Sequence, residues 1–64
     1  MENNVIKLFQ EMGEEFEKAI PDTEKFVEGN NSAGTRVRKA MQNVKNLAQQ
    51  IRVEIQNQKH ATTV

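Results

Sequence analysis

"FVEGNNSAG", residues 26–34, is the stretch whose reading decides the fold. It lies between two amphipathic segments. If the chain breaks here, those segments fold back as a hairpin; if it continues through Gly29 and Gly34, they form one long helix. Glycine and asparagine tolerate the left-handed backbone that ends helices, so Gly29-Asn30 reads as a C-terminal cap. Asn31 or Ser32 is then placed to accept the first backbone N–H bonds of a new helix. The break is the reading adopted, with the continuous helix as its alternative.

Downstream, Gly34, Val37, Met41, Val44, Ala48, Ile51 and Ile55 step by 3, 4, 3, 4, 3, 4. That is a regular heptad seam, widened by Leu47, and it predicts a long helix over about 32–58. Upstream, Val5, Phe9, Met12, Phe16 and Ala19 step by 4, 3, 4, 3. This predicts a first helix over about 3–19, capped by Asn3 or Asn4. Pro21 lacks an N–H and disfavours helical geometry at Ile20, so the helix is expected to stop near Ala19. "PDTEKFVE" then reads as a restart, a short middle helix over 21–28 with Phe26 and Val27 inward. The tail, 59–64, has no apolar periodicity and is expected to fray. Together these give one small all-α domain over 1–64, a helical hairpin that oligomerises as a bundle.

Composition narrows the function. A chain of 64 residues buries a modest core, and without cysteine no disulfide can staple it. Idealised helix packing and oligomerisation remain, and a homodimer or tetramer is expected. Apolar runs reach only two residues. That is short of the roughly 20 needed to span a membrane or the about 7–15 of a signal peptide, so a cytoplasmic chain is expected. The lone His60 has no cysteine or acid beside it, so neither a metal site nor catalysis is expected. No phosphate loop or nucleophile motif occurs, which predicts no enzyme, no cofactor and no small-molecule substrate.

Charge is zero overall but divided. Residues 1–29 carry eight acids against three bases, giving −5, and residues 30–64 carry six bases against one acid, giving +5. With Met41 at heptad position a, Arg38, Lys45, Arg52 and Lys59 all fall at e, while Arg36 falls at c and Lys39 at f. Glutamine and asparagine fill b and c. Such a line of cations on a rigid helix suits DNA phosphates, and amides add hydrogen bonds. The bland reading is that Arg38, Lys45 and Arg52 pair with acids of the first helix (Glu15 flanking its seam, Glu14 and Glu11 on its outer side). Arg36 and Lys39, off the seam, are then the harder ones to pair internally. In that case the chain is a coiled-coil scaffold that recruits a protein partner.

"EGNNSAGTRVRKAMQNVKNLAQQIRVEI", residues 28–55, carries a further clue: a glycine-asparagine, small residues, arginine-x-arginine and a long helix. It sits on Gly29, Asn30, Ala33, Gly34, Thr35, Arg36, Arg38 and Lys39. This stretch resembles the histone-like nucleoid proteins of bacteria, the group of the chlamydial linker-histone-like protein and its short Bacteroidetes relatives. The resemblance implies non-sequence-specific binding of double-stranded DNA in the nucleoid, with contact through Arg36, Arg38 and Lys39. The cation line extends that contact to Lys45 and Arg52. Phe9, Met12, Phe16, Val37, Met41, Val44, Ile51 and Ile55 are the expected core and oligomer seam. The three phenylalanines are expected to pack rather than stack on bases.

Overall fold

The computed structural model describes residues 3–62 of the chain, with side chains described to His60. Two antiparallel helices, α1 (Asn4–Val27) and α2 (Asn31–Thr62), pack along their length as a hairpin. The Cα envelope measures 54 × 20 × 11 Å, a flat rod one helix thick.

The break falls where glycine and asparagine place it. Gly29 holds φ at 111°, open to glycine and strained for any other residue. Asn30 N–H donates to Lys25 O at 3.0 Å and Gly29 N–H to Phe26 O at 2.9 Å, the paired bonds of a Schellman cap. Asn30, rather than Asn31 or Ser32, then caps α2, its Oδ1 accepting Ala33 N–H at 3.0 Å. One residue thus closes the first helix through its backbone and opens the second through its side chain. At the other end, Asn3 Oδ1 accepts Val5 N–H at 2.8 Å and caps α1. Its amide also exchanges two hydrogen bonds with the amide of Gln58, clasping the open end of the hairpin.

The stop at Ala19 and the separate middle helix do not occur: α1 runs through Pro21 to Val27. The proline lies on the outer side, and the carbonyl it deprives of a donor belongs to exposed Glu17, where solvent replaces the lost bond. Thr23 Oγ1 donates back to Ala19 O at 2.9 Å, tying the turn around the ring. On the inner side Ala19 and Asp22 both face α2, so tertiary packing on either side of the proline holds the helix together. The tail departs in the same direction. Residues 59–62 continue α2 rather than fray, and the remainder of that tail lies outside the described residues.

The core is thin. Among the described residues the buried apolar side chains are Ala19, Ala33 and Ile51. Met12, Val37 and Val44 are half-buried in the seam, as their heptad positions require, together with Val5, Leu8 and Leu47. The other four expected seam residues lie outside it: Phe9, Phe16, Met41 and Ile55 are exposed, with Phe9 at 56%. Phe26 and Val27, expected inward, are exposed as well. The cause is the roll of α1. It presents Val5, Leu8, Met12, Glu15 and Ala19 to α2, which turns the neighbouring stripe of Phe9 and Phe16 outward.

Phe26 still touches α2 at one point. Its ring lies over Gly34, where an added β-carbon would stand 2.6 Å from Cδ1. The small residue in "SAG" therefore admits the ring against the helix backbone.

Candidate nucleic-acid interface

A single unbroken helix carries every predicted contact. α2 has 32 residues. Arg38, Lys45, Arg52 and Lys59 recur every seven residues along it, two helical turns apart, and all four are exposed. At 1.5 Å per residue the line is about 31 Å long, the length of about 9 base pairs at 3.4 Å each. Among the described residues Arg38, Lys45 and Arg52 make no ion pair. Glu54, the acid of this half, is half-buried on the opposite flank, in a groove with Leu8, Glu11 and Gln50.

Arg36 and Lys39 stand elsewhere. Two residues on a helix turn it by roughly 200°, so Arg36 and Arg38 project from opposite flanks of α2. Arg36 reaches across to α1, where Nε and Nη2 each lie 3.0 Å from Asp22 Oδ1. The pair is open to solvent, half of the Arg36 side chain remaining accessible. Lys39 lies in the same shallow groove, beside Glu15 and Asn43. The structure thus divides the five predicted residues into a line of three on one flank and a pair near the turn on the other.

This reverses the expected pairing. Arg36, read as hard to pair within the hairpin, is the one with an acidic partner. Arg38, Lys45 and Arg52, read as candidates for neutralisation, face away from the acids. Glu11, Glu14 and Glu15 of α1 line a groove with Asn43, Asn46 and Gln50, so amides rather than cations of α2 face these acids. Asp22 was missed as a partner because it sits beyond Pro21, where the first helix was expected to have ended. Arg36 itself falls at heptad position c, off the expected seam, so the sequence carries no signal for this contact.

The broad face beside the cation line is apolar. Ile6, Phe9, Phe16 and Ile20 of α1 are all exposed there, Ile20 at 57%, and Met41 and Ile55 of α2 lie alongside. Val5, Ile6 and Ile55 line one hollow between the helices. Ile6 and Ile20 were absent from the expected seam, although Phe9, Gly13, Phe16 and Ile20 form a second series with steps of 4, 3 and 4. Among the described residues no helix is long and apolar enough to cross a membrane.

Comparison with curated proteins and with solved structures gives no match. The model of one family does match, described as histone H1-like protein Hc1, over residues 6–61. That span takes in both helices, the Gly29 turn and all five predicted contact residues, far more than the 28–55 stretch that carries the resemblance. The chain belongs to the Hc1 family of histone H1-like proteins.

Proposed function

We propose that this chain is a small non-enzymatic nucleoid protein that binds double-stranded DNA through α2, without sequence preference. The observation that carries the reading is the line Arg38–Lys45–Arg52: exposed, evenly spaced, and without an acidic partner among the described residues. Family membership supplies the context, a histone H1-like protein. Each phosphate that a cation neutralises releases condensed counterions, and this term does not depend on base sequence. Gln42, Gln49 and Gln56 lie beyond the cations on the outer side, all exposed, and suit hydrogen bonds to phosphate and sugar oxygens.

Arg36 and Lys39 extend the contact around the turn. The Arg36–Asp22 pair is solvent-exposed, and such pairs are worth about 0–1 kcal/mol, so a polyanion displaces Asp22 at small cost. Zero net charge does not oppose the reading. At physiological salt the Debye length is about 8 Å, so the α1 acids on the opposite flank are largely screened from the cation line. The working form is a homo-oligomer, because the hairpin alone leaves its phenylalanines in water.

Charge removal tests this directly. The variant Lys45→Gln with Arg52→Gln should keep its far-ultraviolet circular dichroism and bind duplex DNA more weakly. Its log–log salt slope should be shallower by about 2. Duplexes of AT-rich and GC-rich sequence should bind within a few-fold of each other. An unchanged slope in the variant would remove the line as the DNA contact.

A further inference from the structure

The apolar face beside the cation line has edges of opposite charge, and this determines what fits on it. The α1 edge carries Glu17 and Glu24, and the α2 edge carries Arg38, Lys45 and Arg52, all exposed. The two edges lie on opposite sides of a body 20 Å wide at its Cα atoms, so they cannot meet within one chain. Between them run Phe9, Phe16 and Ile20 on one helix and Met41 and Ile55 on the other.

We infer that a second copy of this chain seats on this face, about a twofold axis parallel to the hairpin, with each α1 lying on the partner's α2. The area agrees. A compact monomer of 7.3 kDa presents about 4,200 Å², whereas this chain presents 5269 Å². The surplus of about 1,100 Å² exceeds the about 800 Å² that each partner gives to a standard interface. The thin core, with no large side chain fully buried among the described residues, points the same way.

The charges choose the axis. A twofold axis across the helices would set α1 on α1 and α2 on α2, acid edge on acid edge and cation line on cation line. An axis along the helices sets the acid edge of each copy over the cation edge of the other. It also keeps every residue at its own height along the rod. Asp22 stands level with Arg36 and Asn3 with Gln58, which puts Glu17 and Glu24 about level with residues 41 and 34 of α2. The partner's Arg38 then falls between the two glutamates. By the same levels Phe9 falls about level with residue 51 of the partner, between the partner's Ala48 and the partner's Ile55, and Phe16 falls just beyond the partner's Met41. Glu17 thus falls between the partner's Arg38 and the partner's Lys45, while Arg52 lies toward the open end, where the α1 edge offers Gln10 and Ile6 instead of acid. Arg52 stays available to DNA in the dimer.

This inference deepens the oligomeric part of the proposed function and stands apart from its DNA part, so the test uses DNA-free protein. Sedimentation equilibrium across the micromolar range should give a dimer. Glu17→Lys with Glu24→Lys, both at exposed positions, should raise the dissociation constant at least tenfold while helicity at high concentration is kept. Adding Arg38→Glu should restore most of the affinity, because the reversed pair meets only across the interface. A wild-type chain that stays monomeric overturns the proposal and leaves the face to a foreign helix or a lipid surface. A double reversal without effect on the constant, or one that Arg38→Glu worsens, overturns the arrangement. Failure to bind a duplex would instead bear on the DNA reading alone.

Discussion

Gly29 and Asn30 do most to turn two heptad seams into a hairpin. At φ 111° a β-carbon clashes with its own backbone, so Gly29→Ala should destabilise the fold by about 1–2 kcal/mol. Asn30→Ala removes the cap on Ala33 and should cost about 1 kcal/mol. Urea denaturation at fixed protein concentration measures both. Gly34 acts through space. Alanine there gains up to about 1 kcal/mol of helix propensity but meets the Phe26 ring at 2.6 Å. Gly34→Ala should therefore show no stabilisation, and the Phe26 ring resonances should shift, as a proton NMR spectrum would reveal. The turn was legible because its chemistry is local: a residue that must be glycine, beside one that caps. The partner of Arg36 was not legible, because the contact with Asp22 depends on how the two helices are rolled against each other.

At the scale of the element, α1 shows where local rules yield to packing. Pro21 reads as a terminator, yet α1 continues for six more residues because Ala19 and Asp22, on either side of it, are held against α2. The proline remains a cost. Pro21→Ala restores a helical N–H at an exposed position and should stabilise the hairpin by about 1–3 kcal/mol. In a domain of this size each kcal/mol raises the melting temperature by about 4–8 °C. A thermal melt with no upward shift would mean that the chain has adapted to the kink. The same helix explains the misplaced phenylalanines. Its apolar residues form two adjacent series, one through Leu8, Met12, Glu15 and Ala19 and one through Phe9, Gly13, Phe16 and Ile20. The expected seam draws on both, joining Phe9 and Phe16 to Met12 and Ala19, because periodicity does not say which series faces α2. α2 was read more fully: of its heptad Val37, Val44 and Ile51 lie in the seam, while Met41 and Ile55 turn to the exposed face.

At the scale of the whole molecule, the two flanks of the rod differ in kind. On one, the α1 acids share a groove with amides of α2, and Arg36 meets Asp22. The other sets an apolar face beside Arg38, Lys45 and Arg52, which make no ion pair among the described residues. That division, invisible to a net charge of zero, is what the DNA reading rests on. The most direct test is fluorescence anisotropy of the unmodified chain with a labelled duplex of about 30 base pairs, titrated across salt concentration. Neutralising roughly 4–6 phosphates per chain predicts tight binding at low salt and a log–log slope of about −4 to −5. Absence of binding at low salt, or an affinity indifferent to salt, would contradict the account.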